Sequence, residues 1–548
     1  MTYSAHRLQS FALILAGALS HMGCSGEEEA STDFVATAVD ADDLDDGGTE
    51  GGKDTIMKAF DTPMPPANGP KLVATSLATV IREQPSKSAN KIGYLRVGEQ
   101  VARSKAAVTY EGCDYGWYRI RPAGYVCVGD KASLYLQHPI ARALGKLPDL
   151  SKPLPYRYAF VRAISPNYLR VPTKKHQNQY EFQLKRHLRS YEKLRDEWQK
   201  LEVGANDVPL DATGVAIGPA PSQPPDIGFS EIFGGDGDDI VPWWLDGGRK
   251  IPHLSGYKAP RYAVIAGRVK RHTGLALIDS FVPGEEAGNR RMAVTTDGRL
   301  VPVSKLKPNT GSTWHGMPLG ERSKLDLPVG FITVRSGATV YELTDTETKT
   351  LGEIPWRTTV DLNGKSRKRQ GKRYVQLKNG SWIVAKDAAI AALPSNLPSF
   401  ARGTQKWIDL SIVSQTMVAW EGKIPVYVTM VSTGKDGLGD HRKTHSTIRG
   451  TFRIREKHVT TTMDSNDVGN KFELRDVPWV QYFKGGYALH AAYWHDGYGK
   501  VRSHGCINMA PIDARWFFFW TTPRLPDGWH GVYRSEDTGK GTIVHIHP

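Results

Sequence analysis

Apolar side chains between residues 73 and 136 fall in short alternating runs, Val80–Arg82, Lys91–Leu95, Gly116–Arg121 and Tyr125–Val126, with Pro122, Ala123 and Gly124 between the last two. Runs of this length separated by turn residues predict strands, and their close spacing predicts a small barrel. The pattern recurs over 321–395, where Ala338–Tyr341, Gly352–Ile354 and Arg373–Leu377 lead through Lys378, Asn379, Gly380 and Ser381 to Trp382–Val384. An Asn-Gly pair between alternating runs is a strong hairpin signal. Met292–Val303 repeats it more weakly around Asp297 and Gly298, which suggests related barrel modules in series. One stretch has a different period. Leu184, Leu188, Tyr191, Leu194, Trp198 and Leu201 are spaced by three or four, predicting one long helix over 176–202 whose apolar stripe packs on a neighbouring domain. Five prolines within 204–226 predict a loop.

A chain of 548 residues, 40% hydrophobic and 23% charged, is neither wholly disordered, collagen-like nor a multi-span membrane protein, and its length predicts three or four domains. The net charge of +14 is unevenly spread: residues 1–26 carry Arg7 alone, and residues 27–52 hold ten acids and no Lys or Arg. The rest is therefore more basic than the total. Behind Arg7, the apolar run Phe11–Leu19 has the length of a secretory signal segment and is too short to span a bilayer. It leads to His21, Met22, Gly23 and Cys24. This ending resembles the lipobox of bacterial lipoproteins, with His21 where that family prefers Leu, and the resemblance implies a lipid anchor on Cys24. Residues 25–70, acidic and poor in large apolar side chains, read as a disordered tether.

Three cysteines remain. In an exported chain Cys113 and Cys127 are either one disulfide closing a hairpin or two buried thiols. Cys506 is left over, and an odd cysteine in an oxidising compartment calls for a chemical role. It follows His490 by sixteen residues and His504 by two, across a stretch containing Gly497 and Gly499. A thiol and an imidazole are the minimum for acyl transfer: the imidazole takes the thiol proton, the thiolate attacks a carbonyl, and the imidazolium protonates the leaving amine. Gly505 permits close backbone approach, so amides of the Ser503–Cys506 turn are candidate oxyanion donors. Two other readings compete. One is a packing cysteine beside a loop histidine; the other is zinc on His490, His495, His504 and Cys506, whose spacing fits none of the common zinc motifs. Tyr493, Trp494 and Tyr498 are expected as exposed rings along a groove for sugar or peptide. Trp516, Phe517, Phe519 and Trp520, in a helix opened by Pro511, are expected as core beneath the cysteine loop.

The order His490, Gly499, Ser503-His504-Gly505-Cys506-Ile507-Asn508 resembles the signature of the L,D-transpeptidase catalytic domain (YkuD type). Upstream, Met430–Lys435 and Thr447–Ile454 resemble the family's strand and its Thr-Pro-x-Gly-x-Phe turn. The similarity covers 404–548. It implies Cys506 as nucleophile, His490 as general base, His504 in support, Ser503 and Gly505 in the oxyanion turn, and Asn508 in ordering the loop or contacting substrate. Ile448 replaces the usual Pro, and Ala491 follows the base where relatives carry Gly or Ser. In residues 73–136, a strand, a glycine turn, a Trp-Tyr strand and a Gly-Tyr-Val strand resemble bacterial Src-homology-3-like domains, modules often attached to cell-wall enzymes.

The expected architecture is mainly β. A signal peptide (1–24) and tether (25–70) precede a Src-homology-3-like domain (73–136), an accessory region (137–320), a second such module (321–395) and a β-rich catalytic domain (404–548). The resemblance implies a cell-envelope or periplasmic enzyme acting on peptidoglycan, without cofactor or metal. Cys506 attacks a tetrapeptide stem, D-Ala leaves, and an amine resolves the thioester. Water as acceptor gives an L,D-carboxypeptidase, and loss of chemistry gives an inactive wall-binding protein. No nucleic-acid motif accompanies the basic charge. Loss of 73–136 is expected to weaken wall association more than chemistry.

Overall fold

The computed structural model describes residues 62–548 except 219, 224–227, 255–258, 261, 322, 465–472 and 536–537. The signal segment, Cys24 and most of the tether lie outside the described residues. Strands make up 37% and helices 12%, so the protein is mainly β. No helix among the described residues is long and apolar enough to cross a membrane.

The first alternating region forms seven strands, from Lys71–Ala74 to Ala132–Ser133. In Thr79–Arg82 burial alternates, so Ile81 joins Leu72, Leu95, Tyr118, Ile120 and Val126 in a core while its neighbours face outward. The last strand returns to the first, with Ala74 opposite Ala132. Cys113 and Cys127 are joined in a disulfide with Cα atoms 5.8 Å apart.

That return recurs twice. Arg157–Val161 pairs with Leu306–Asn309, and Val329–Ile332 pairs with Ala388–Ala391. Each time the closing strand follows a hairpin and a one-turn 3₁₀ segment, Val303–Lys305 or Ala385–Asp387. The hairpin turns are those at Asp297-Gly298 and Asn379-Gly380, where the glycines take φ of 77° and 92°. Modules of the second and third regions thus share an order of elements as well as a turn signal.

The single helix expected over 176–202 is two, Lys174–Tyr180 and Leu184–Trp198. Between them Gln183 turns to a left-handed φ of 48°, and the fully buried Glu181 carboxylate meets Arg290 at 2.8 Å, the Tyr168 hydroxyl at 3.0 Å and Lys305 at 3.6 Å. Leaving a buried carboxylate unpaired costs more than breaking a helix, so the charge network overrides the apolar period. Leu194, in the expected stripe, is 38% exposed.

Residues 404–548 build two sheets facing each other across the helix Pro511–Trp520. One contains Lys406–Ser411, Thr416–Glu421, Ile424–Met430, Gly450–Arg453 and Ile543–His547; the other contains Glu456–Asp464, Glu473–Lys484, Tyr487–Ala491, Ile507–Met509 and Gly531–Tyr533. Ile408, Leu410 and Val544 from the first meet Trp479, Leu489 and Ile507 from the second, with Ala514, Trp516, Phe517 and Phe518 of the helix between them. A helix enclosed this way is apolar on most sides. The outward residue is Phe519, which the sequence reading put in the core: it is 44% exposed and lies 5.0 Å from the Arg515 guanidinium, while Phe518 is buried. The buried Lys457 amine donates to the carbonyls of Phe518 and Thr521 (3.0 Å), closing the helix C-terminus, and burial holds it well below the usual lysine range.

The modules are not beads on a string. Lys91–Leu95 of the first pairs with Gly531–Tyr533, and Gly274–Phe281 of the second meets Glu473–Lys484 through Gly274 opposite Leu474. Two glycines permit the first junction. A Cβ on Gly93 would lie 2.3 Å from the Trp529 ring, and one on Gly531 would lie 2.1 Å from the Tyr94 ring. Across the junction the Arg96 guanidinium meets the Asp476 carboxylate at 2.9 Å, both buried. Removing 73–136 therefore uncovers a strand edge and strands Asp476 without its cation. We expect the shortened chain to aggregate or melt well below the full chain, as checked by light scattering and thermal denaturation; an unchanged melting temperature would contradict this.

Candidate active site

Two neighbouring strands set out the chemistry. Tyr487–Ala491 and Ile507–Met509 run parallel, with His490 opposite Asn508 and Leu489 opposite Ile507. Side chains alternate along a strand, so Leu489 and Ile507 enter the core while His490, Asn508 and, two residues before Asn508, Cys506 share the other face. Sixteen residues of sequence are thereby folded onto one face.

His490 is 1% exposed. Its Nδ1 lies 3.0 Å from the Ala491 carbonyl oxygen. A carbonyl only accepts, so Nδ1 carries the proton and Nε2 presents a lone pair. Nε2 is buried and has no hydrogen-bond partner among the described residues. The orienting group is the backbone of residue 491, so Ala in place of Gly or Ser takes nothing from the base. The His490 ring also stacks on Trp494, with centroids 5.6 Å apart.

Cys506 carries a thiol outside any disulfide, fully buried, 3.5 Å from the Gly486 carbonyl. It packs with Met463, Leu474, Val477 and Ala488, flanked by Phe160, Tyr482 and Trp494. Its turn is fixed by its own hydroxyl: Ser503 Oγ donates to the Cys506 carbonyl and accepts from the Gly505 N–H at 3.1 Å. Gly505 has a φ of 131°, open to glycine. The Gly505 amide is thus engaged in the turn, where the sequence reading had it available to an oxyanion.

Thr447 locks the turn from outside. Its hydroxyl accepts from the Gly434 N–H at 2.9 Å and donates to the Gly505 carbonyl at 2.7 Å. Ile448 packs in the main core, so the departure from Pro leaves this bridge in place. His504 is buried, its ring 4.3 Å from that of His445. Asn508 is joined through its backbone to Ser432 by two hydrogen bonds of 2.9 Å.

The Asn508 side-chain amide is 3.0 Å from His495 Nε2, and the Gly497 N–H donates to His495 Nδ1 at 3.3 Å. It is the Asn508 amide nitrogen, Nδ2, that faces His495 Nε2. Burial first, then Arg502 and His490, push His495 down to about 3. Burial likewise holds His530 well below 6.5. Between about 3 and 6.5 the unfolded chain binds protons that these folded imidazoles refuse, so this contribution is complete above 6.5 and is lost as pH falls through the window. His495→Gln should flatten the fall in denaturation midpoint between pH 7 and 4; a slope equal to the parent's would contradict it.

The rings of the intervening loop depart from expectation. Tyr493 is 2% exposed, with its ring centroid 4.4 Å from Tyr158, and Tyr498 is buried with its hydroxyl donating to the Ala492 carbonyl at 2.8 Å. Neither lines an open groove: Tyr158 and Phe160 of the accessory region cover Tyr493, and Tyr498 packs against Trp314 and Phe331. Trp494 remains half-buried beside His490. Tyr487, which sequence reasoning missed, stands near the thiol: burial, and next the neighbouring Cys506, raise its phenol. Its only sequence signal is the Gly485-Gly486 turn before it. Among the described residues no three His, Cys, Asp or Glu side chains are grouped to hold a metal ion.

Fold and site define a two-sheet domain that sets one thiol and one oriented imidazole on a common face. Residues 405–546 match the L,D-transpeptidase catalytic domain family, YkuD, and carry that domain. Among solved structures, the Enterococcus faecium L,D-transpeptidase catalytic domain is 22% identical over 27% of this chain and 99% of its own, with a TM-score of 0.20. An L,D-transpeptidase from Xylanimonas cellulosilytica is 18% identical, covering 29% of this chain and 64% of that one, with a TM-score of 0.19. LdtMt1, solved in complex with imipenem, is 14% identical over 47% and 90%, with a TM-score of 0.20. The matches to the Xylanimonas and Stackebrandtia nassauensis proteins span less than two thirds of those chains. No curated protein matches the sequence.

Proposed function

We propose that this protein is an L,D-transpeptidase acting on peptidoglycan through a thioester on Cys506. His490 Nε2 takes the thiol proton, the thiolate attacks the carbonyl of the third residue of a tetrapeptide stem, and the imidazolium protonates the departing D-Ala amine. A second stem's amine then resolves the thioester. The observation that carries the reading is the His490 tautomer, fixed by the Ala491 carbonyl so that the basic nitrogen is free on the face shared with Cys506. His504, Ser503, Gly505, Thr447 and Asn508 hold that face in place.

The reading extends to location. A leader, a Gly23-Cys24 pair and a disulfide between Cys113 and Cys127 suit an exported, lipid-anchored envelope protein with a Src-homology-3-like module at 73–136. An acyl group on Cys24, sought by mass spectrometry of the mature N-terminal peptide, tests the anchor.

One observation favours the inactive wall-binding reading: Cys506 is fully buried. The two separate by acylation. Incubation of the full chain with a carbapenem should add one acyl mass at Cys506 if the site is competent, and none if it is not.

A further inference from the structure

We propose that Arg357, on the accessory module 321–395, is a positioning residue for the His490–Cys506 site, bracing the loop 495–499 that lies between the two in sequence. The inference rests on the acylation reading above and assigns that module a part in the chemistry. The loop contains Gly497 and Gly499, which leave its backbone free to wander unless something outside holds it. Arg357 supplies the hold. Its guanidinium pairs with the Asp496 carboxylate and donates to the Asp496 carbonyl at 3.1 Å. It is itself set 3.9 Å above the Trp356 ring.

Three other contacts close on the same loop. The Ser312 hydroxyl donates to the Asp496 carboxylate. Trp314 stacks on Tyr498 with centroids 5.9 Å apart. Gly499 donates to the Val431 carbonyl at 2.9 Å, and it packs so closely under the module that a Cβ there would lie 2.7 Å from Thr333 Cγ2. From Asp496 the path to the base is short. His495 adjoins it and bonds Asn508, and Asn508 is the register partner of His490. An unbraced loop would leave His495 and Trp494 free to move, and with them the face against which the base is aligned.

The test uses the full chain and a carbapenem, reading the maximal rate of Cys506 acylation and the half-saturating concentration. Arg357→Ala and Asp496→Asn should each lower the maximal rate about tenfold, with half-saturation and melting temperature unchanged, because misplacement of reacting groups acts on the rate. The double variant should be no slower than either single one, since both break one link. Arg357→Lys should recover part of the rate, an ammonium reaching the carboxylate without the fork that also reaches the carbonyl. Should Arg357→Ala fail to fold, Ser312→Ala removes another donor to Asp496 from outside the module and should slow acylation by a smaller factor. Rates within twofold of the parent, or losses that multiply in the double variant, would overturn the inference while the site reading stands. A folded parent that forms no adduct overturns both.

Discussion

Replacing Cys506 by Ala should lower turnover of a tetrapeptide-stem substrate by about 10⁴-fold or more, since no other group on that face can form the thioester. The melting temperature should stay within about 5 °C, because Ala fills most of the thiol's place in the cluster of Met463, Val477 and Ala488. His490→Ala should cost roughly 10²–10⁴-fold, the range of a general base. The two losses should not multiply in the double variant, because a base without a thiol has nothing to deprotonate. Turnover retained in Cys506→Ala would sink the thioester mechanism.

The second large effect is on stability. Asp476 accepts from Arg96 at 2.9 Å, from the Thr460 hydroxyl at 2.8 Å and from the Thr296 hydroxyl, while the Tyr158 hydroxyl donates to its carbonyl at 2.7 Å. Arg96 belongs to the first module, Thr296 and Tyr158 to the accessory region, and Thr460 to the catalytic sheet. Asp476→Ala leaves a buried guanidinium unpaired at the point where all three meet, and should cost about 3–5 kcal/mol. Arg96→Met combined with Asp476→Leu should recover only part of that: the apolar pair removes the stranded charge, but the Thr460 and Thr296 hydroxyls lose their acceptor and Leu must take the left-handed φ of 51° at 476. Thermal and denaturant unfolding of the three proteins checks this. A single substitution with no effect would mean the modules are held elsewhere.

Local signals were the most legible in the sequence. Asp297-Gly298 and Asn379-Gly380 announced their hairpins because the last position of a three-residue turn needs a residue that accepts a positive φ, and the glycine written there supplies it. Cys506 and His490 were legible because few residue types perform acyl transfer, and their order with Ser503, His504 and Gly505 is specific. What long-range pairing decides was not legible. Gly93 and Gly531 admit each other's neighbours across the chain, yet nothing near either residue marks it as a junction. Glu181 breaks the expected helix for partners at 290 and 305. Tyr493 looked like an exposed ring because its cover, Tyr158, comes from a distant module. The orienting group of His490 is a backbone carbonyl, which every residue carries and no sequence pattern reports.

Because the modules share sheets, the central claim is best tested on the whole protein rather than on residues 404–548 alone. Intact-mass spectrometry of the full chain after incubation with a carbapenem, followed by peptide mapping, reads the competence of the thiol directly. The account predicts a single adduct on Cys506, absent in Cys506→Ala and slowed in His490→Ala. A folded protein that remains unmodified, or an adduct on another residue, would contradict it.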